Sequence, residues 1–332
     1  MYEKFFGLRE KPFSLLPDPS FLYLSPKHAN ALSLLEYALS GQAGISVITG
    51  EIGSGKTTLL RQFLQLADHR TTPGVVFQTH RDFGDLLSWV LLAFGINPET
   101  KDKTLIYQTF LDFLVSQRQA GKRTILIVDE AQNLTVEGLE ELRLLSNVNF
   151  DKYLFLQIVL TGQPELLDKL KLPELRQLAQ RVAVHYHLSA LSFSETRDYI
   201  HHRIKTAGGD PAIFDDEAIG AVFHFTGGMP RLINSLCDMA LVYAFGDGSR
   251  TVTASTIWAV AQDREASGLN VFPVSVRAAS REGRPRDRTP FGETPDARAF
   301  RRRIVTAGPR RTRNGHGWRV ACDGNSLAET LH

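Results

Sequence analysis

Residues 45–58 read Ile45-Ser46-Val47-Ile48-Thr49-Gly50-Glu51-Ile52-Gly53-Ser54-Gly55-Lys56-Thr57-Thr58. A short β-type apolar run meets a glycine-rich turn, and helical spacing follows from about Lys56 to Leu66. Gly50 to Thr57 match G-x-x-x-x-G-K-[ST] in full, in the strand–loop–helix context the pattern requires. Glycines let the backbone wrap so that successive N–H groups point inward at phosphate oxygens. The helix N-terminus adds its positive dipole end. Gly50, Glu51, Ile52, Gly53, Ser54, Gly55, Lys56, Thr57 and Thr58 are therefore the candidate phosphate-binding residues. Lys56 would reach the β- and γ-phosphates, and the Thr57 hydroxyl would hold Mg²⁺.

Outward from this loop, strands and helices alternate. Strands are expected at 45–49, 74–79, 124–128, 153–160 and 182–187. Helices are expected at 27–41, 56–66, 82–94, 104–119, 135–146 and 164–180. That alternation implies a parallel α/β sheet flanked by helices. After Leu188 the strands stop. Segments 194–207, 215–225, 230–244 and 253–265 read as helices broken by Gly-Gly pairs, which makes a small all-α second domain. The expected organisation is an extended aromatic and Pro-rich arm over 1–26, packing its aromatics on a larger body, then the α/β nucleotide-binding domain over 27–190. A helical lid over 191–268 and a disordered Arg-rich tail over 269–332 follow.

Four further signals lie downstream of the loop. Ile125-Leu126-Ile127-Val128 is a buried strand that delivers Asp129 and Glu130 to the sheet's carboxyl edge, where ligands of such folds bind. Asp129 would hold Mg²⁺, and Glu130 would polarise the attacking water; the plain alternative is an acidic pair capping helix 135–146. Ile158-Val159-Leu160-Thr161-Gly162-Gln163 ends in polar residues that could sit between the two acids and the γ-phosphate, Thr161 first and Gln163 in reserve. Ordinary turn chemistry ahead of Pro164 explains them equally well. Arg176 and Arg181 precede a strand, where an arginine can project into a neighbouring subunit's site; a surface ion pair with Glu174 or another acid is the alternative. Thr226-Gly227-Gly228-Met229-Pro230-Arg231 ends one helix and starts the next. It places Arg231 in a first turn, against the helix dipole, unless it folds over a bound triphosphate.

Composition narrows the class. The chain has 332 residues, 43% hydrophobic and 22% charged, as in soluble globular proteins. Its two cysteines, Cys237 and Cys322, form no ligand cluster and no disulfide framework. Residues 276–332 carry 13 Arg and no Lys against 6 acidic residues, a net +7, while residues 1–275 carry 25 basic and 30 acidic residues, a net −5. The tail therefore reads either as a phosphate-seeking segment or as a plain solvated end. No apolar run approaches the ~18 residues of a membrane helix, and the first residues lack the pattern of a signal peptide. His201 and His202 face apart on a helix. His185 and His187 share a strand face but lack a third ligand.

These five signals, in this order, resemble an AAA+ ATPase. The text Tyr2, Phe5-Phe6-Gly7-Leu8, Lys11-Pro12-Phe13, Pro17-Asp18-Pro19, Phe21-Leu22-Tyr23-Leu24-Ser25 and His28 resembles the start of the ExeA (general secretion pathway protein A) family. So do Asp129-Glu130-Ala131-Gln132-Asn133-Leu134, Gly162-Gln163-Pro164-Glu165-Leu166 and Gly227 through Asn234. The resemblance spans about residues 1–266, and TniB/TnsC-type transposition ATPases share the core. It implies a fold of the P-loop NTPase class. It also implies Mg²⁺ and ATP bound between the α/β domain and the lid, and a ring or other homo-oligomer completed by a neighbour's arginine. The secretion family continues into a transmembrane segment and a periplasmic peptidoglycan-binding domain, neither of which is read here. The expected role is an ATP hydrolase in a secretion or envelope assembly, cytoplasmic or held at the inner membrane's cytoplasmic face by a partner. The alternatives are a DNA-associated transposition regulator and a scaffold that binds ATP with little turnover. DNA is the less favoured partner, because residues 1–275 are acidic and the tail lacks interleaved aromatics for base stacking.

Overall fold

Parallel strands buried on both faces are rich in apolar residues, and three segments are buried along nearly their whole length: β1 (Ile45–Thr49), β3 (Arg123–Val128) and β4 (Leu156–Gly162). In the computed structural model these three form the sheet centre. The more mixed β2 (Thr71–Val76) and β5 (Val182–His187) form its edges, in the order β2-β3-β4-β1-β5 with all pairs parallel. The structure describes residues 1–273 except 17, 41–43, 78–85, 99, 101, 151–152 and 269–271.

Alternation of side chains along each strand divides the core in two. Ile48, Ile125, Ile127 and Val159 meet α1 (Pro26–Ser40) and α2 (Lys56–Leu66) through Ala31, Leu35, Leu59 and Phe63. Val47, Leu126, Val128, Ile158 and Leu160 turn to the other face. There they meet α3 (Leu86–Ala93), α4 (Lys103–Gln119), α5 (Val136–Leu145) and α6 (Glu165–Leu170). Each fully buried aliphatic side chain contributes roughly 1.5–3 kcal/mol, so a strand shifted by one residue would exchange both cores at once.

The short helix α7 (Arg176–Ala179) leads into β5. The all-α domain then comprises α8 (Phe193–Thr206), α9 (Asp216–Thr226), α10 (Pro230–Gly246) and α11 (Ala254–Ala266). The arm shares this domain's core. Tyr2, Phe6, Leu8, Phe13 and Phe21 are buried with Ile200, Ile204, Phe225, Leu241 and Trp258. The Tyr2 hydroxyl donates to Asp238, and Arg250 bonds the Phe5 carbonyl while lying over the Phe5 ring.

Several element bounds differ from expectation. The arm is not wholly extended: Glu3–Phe6 make one helical turn closed by Gly7 at φ 71°, and Pro19–Phe21 a 3₁₀ turn capped by Asp18. The strand expected over 74–79 lies at Thr71–Val76, where Pro73 is tolerated because β2 is an edge. The strand expected over 153–160 divides: Tyr153–Leu154 pair antiparallel with Asn149–Phe150, and β4 runs from Leu156 to Gly162. The helix expected over 164–180 breaks at Pro173, which has no N–H for an i→i−4 bond, into α6, a 3₁₀ turn at Pro173–Leu175 and α7. The start of the helix expected at 82–94, and all of the expected tail except Phe272 and Pro273, lie outside the described residues. Among the described residues no helix is long and apolar enough to cross a membrane.

Candidate functional site

β1 lies between β4 and β5 while the chain next travels to the far edge at β2, so the strand order reverses at the carboxyl end of β1. That is where α/β sheets open a crevice. The 50–55 loop leaves from this point, with Gly50 N–H donating to Gly162 O at 3.1 Å. A Cβ on Gly50 would stand 2.6 Å from Leu188 O, so the packing admits only glycine. Gly53 and Gly55 have φ of 81° and 102°, the left-handed region that side chains avoid. Gly55 directly precedes α2, whose first N–H groups have no intrahelical partner.

Lys56 is 5% exposed, and its ammonium donates back to Gly50 O at 2.7 Å and Glu51 O at 3.1 Å. Burial pushes its pKa down, opposed by Glu130 and Asp129. Ser54 Oγ is buried without a hydrogen-bond partner among the described residues. Asp129, also buried, gathers three donors: Thr57 Oγ1 to Oδ2 at 3.0 Å, Thr161 Oγ1 to Oδ1 at 2.6 Å, and Glu130 N–H to Oδ1 at 3.0 Å. Glu130 has φ 53°, the one non-glycine left-handed residue among those described. Such a backbone costs about 1–3 kcal/mol and collects at working sites. Its Oε2 accepts from Gln132 Nε2 at 2.6 Å and Gln163 Nε2 at 3.4 Å, and Gln132 Oε1 accepts from Gln163 N–H at 3.1 Å. Thr161 thus touches Asp129, and Gln163 touches Glu130.

Arg231 arrives from the other domain. Gly227 and Gly228, both left-handed, end α9, and Pro230 opens α10. Arg231 N–H donates to Gly53 O at 3.3 Å, and a Cβ on Gly53 would lie 2.5 Å from Arg231 Cβ. Ile52, Gly53, Gly55, Lys56, Thr57, Thr58, Glu130 and Arg231 line one cleft of about 360 Å³ between the domains. Arg176 and Arg181 do not line it. Both are exposed, neither makes an ion pair among the described residues, and Arg181 donates to Ser146 Oγ at 3.4 Å.

Sequence reasoning gave no role to several cleft residues. His28 is buried beneath the loop, its Nε2 3.1 Å from Ser54 O and its Nδ1 2.8 Å from Ser25 Oγ. A carbonyl only accepts, so Nε2 carries the proton, and burial holds the ring below the usual imidazole pKa. Its signal was its place in the text Ser25-Pro26-Lys27-His28, which names no partner. Ser14, Leu15, Leu16, Asp18, Phe21, Leu22 and Tyr23 of the arm, with Leu191, Tyr199, Arg203, Pro230 and Asn234, form the remaining wall. Nothing local to these residues announces that they meet. His185 and His187 do converge, on the Thr49 hydroxyl at 3.3 and 3.1 Å.

The AAA domain family matches residues 39–170. General secretion pathway protein A of Aeromonas hydrophila is 41% identical over 271 residues, which cover 81% of this chain and 49% of that protein. The chain thus spans about half the length of this curated relative. Among solved structures, Cdc6p from Pyrobaculum aerophilum aligns at a TM-score of 0.60 and 17% identity, covering 81% of this chain and 75% of that one. The Aeropyrum pernix ORC2 protein, solved as ADPNP–ADP complexes, aligns at 0.57 and 15% identity, covering 82% and 74%. Identities this low speak to the fold, which they share with the sheet and helical domain described above. The phosphate loop and the paired acids both lie in the matched stretch, so residues 39–170 form an AAA domain, in a chain that is similar over most of its length to general secretion pathway protein A.

Proposed function

We propose that the cleft binds ATP with Mg²⁺ and hydrolyses it, and that the bound state sets the angle between the α/β and helical domains. The observation that carries this is the convergence of Thr57, Thr161 and the Glu130 N–H on the Asp129 carboxylate, beside the loop whose ammonium donates to the Gly50 and Glu51 carbonyls. The residues fit a metal-bound triphosphate. An unpartnered Ser54 hydroxyl, left-handed glycines and free helix N–H groups offer donors to an anion, and a Thr hydroxyl with a carboxylate is a hard oxygen pair suited to Mg²⁺. Mg²⁺, when bound, draws charge from the phosphate oxygens.

Phosphoryl transfer to water asks the protein mainly to position and neutralise. Thr57 and Asp129 would hold the metal, and Lys56 would exchange the Gly50 and Glu51 carbonyls for phosphate oxygens. Glu130 orients the attacking water and takes its proton, with Gln132 and Gln163 holding the carboxylate in place. Thr161 keeps Asp129 aimed. Arg231, where the lid meets the loop, would fold its side chain over the bound triphosphate, so that loss of the terminal phosphate releases the lid. Arg181, or Arg176 beside it, completes the site of a neighbouring copy in a ring or other homo-oligomer; their exposure away from the chain's own cleft supports that reading. Through its kinship the chain would serve a secretion or envelope assembly, at the cytoplasmic side.

The test is ATP binding and steady-state hydrolysis by the protein, by Lys56→Ala, by Arg181→Ala and by the two variants mixed. Lys56→Ala should lose binding. Arg181→Ala should bind ATP but turn it over poorly, and mixing the two inactive variants should restore turnover. If Lys56→Ala binds ATP as the parent does, the proposal is wrong. Clear stimulation by duplex DNA would move the partner to the transposition class.

A further inference from the structure

We infer that Arg203 is a positioning residue for the base end of the cleft: it ties the arm backbone at Pro12–Ser14 to the helical domain, so that arm and helices form one preset wall for the nucleotide base. This rests on the ATP reading above. Arg203, on α8, is 7% exposed, yet no carboxylate lies within ion-pair distance among the described residues. A buried charge normally demands such a partner. Here the partners are backbone and rings. Nε donates to Pro12 O at 2.5 Å, Nη2 to Ser14 O at 3.3 Å and Nη1 to Tyr199 Oη at 3.3 Å. The guanidinium also lies 4.7 Å from the centre of the Phe21 ring, and 5.7 Å from that of Tyr199.

A second tie reaches the same carbonyl from another helix. Asn234 on α10 donates to Ser14 O at 3.4 Å and accepts from the Tyr199 hydroxyl at 2.7 Å. The polar atoms of this network therefore serve one another and the arm, and along the cleft the arm sets Leu15, Leu16, Phe21 and Leu22 beside Ser14 and the Asp18 carboxylate. Leu15 and Leu16, immediately after the fixed carbonyl, are 56% and 78% exposed along the cleft, a large apolar display that a flat base would cover. The planar guanidinium holds two carbonyls and stacks on rings at the same time, which a lysine ammonium cannot do. Without it the 12–16 segment would have to be ordered at the moment of binding, and affinity would bear that ordering cost.

The experiment compares the affinity of the full chain for Mg-ATP and for Mg-tripolyphosphate, which lacks the base and sugar. The phosphate end, at Lys56 and Thr57, is the same for both. Arg203→Ala should weaken ATP by about tenfold or more, the scale of re-ordering a short loop, and leave tripolyphosphate within about twofold. Arg203→Lys should resemble Arg203→Ala, and Asn234→Ala should lose less in the same direction. If Arg203→Ala does not fold, Asn234→Ala carries the test through the same split. Equal loss of both ligands, or no loss of either, overturns the inference; equal loss would mean that Arg203 meets phosphate. A parent protein that binds neither ligand would instead overturn the ATP reading.

Discussion

Gly228 decides whether the lid can sit where it does, and its replacement by alanine separates backbone strain from steric blockade. Its φ is +78°, and a Cβ there would stand 1.9 Å from Leu191 O and 2.9 Å from Leu191 C. Those are backbone atoms of the segment joining β5 to α8, and Gly228 O itself accepts from Leu191 N–H at 2.9 Å. Gly248 is the control, with φ +66° and nothing within 4 Å of its would-be Cβ. Left-handed strain alone costs about 1–2 kcal/mol, so Gly248→Ala should lose about that much. Gly228→Ala adds the displacement of a packed backbone, about 1–3 kcal/mol more, for a total of about 2–5 kcal/mol. Because Gly228 leads into Pro230 and Arg231, the displacement should also lift Arg231 from Gly53 O and weaken ATP binding, which Gly248→Ala should not do. Urea unfolding and ATP titration of both variants read these outcomes. Equal destabilisation of the two, or parent-like ATP affinity in Gly228→Ala, would refute the reasoning.

Glu130→Gln should keep ATP affinity within a few-fold and lower the hydrolysis rate by about 10²–10⁴, the usual worth of a positioned general base; phosphate release in single-turnover assays checks this. Thr161→Val keeps shape but removes a donor to the buried Asp129 carboxylate, and should cost about 1.5–3 kcal/mol in urea unfolding. Burial holds His28, His185, His201 and His202 below the ordinary value of 6.5. The unfolded chain therefore takes up protons first as pH falls, and stability should be whole above about 6.5 and decline below it. His28→Gln, which leaves Lys27 and Glu195 in place, should flatten that decline when urea midpoints at about pH 7.5 and about pH 5.5 are compared.

Where local pattern and local physics coincide, the text of the chain was readable. The central strands are apolar at most positions because both faces are covered, and Gly50–Thr57 is a continuous stretch whose shape depends on its own glycines. Asp129 and Glu130 follow a buried strand and so had to emerge at its carboxyl end. Elsewhere a longer-range term overruled the local one. Helical spacing over 164–180 hid the break at Pro173. Apolar continuity over 153–160 hid the turn that pairs Tyr153–Leu154 with Asn149–Phe150 before β4 begins.

The sequence alone determined the phosphate loop, the acid pair, the alternation of strands with helices and the succession of helices after Leu188, because each depends on residues within one or two turns of chain. Only the tertiary structure decided that the arm belongs to the helical domain's core, that His28 supports the loop, and that Arg203 and Asn234 reach one carbonyl from two helices. Those contacts join residues 26 to 245 positions apart. Closing such distances is driven by burying Tyr2, Phe6, Phe13 and Phe21 together with the helices, a summed free energy that no short stretch of sequence contains.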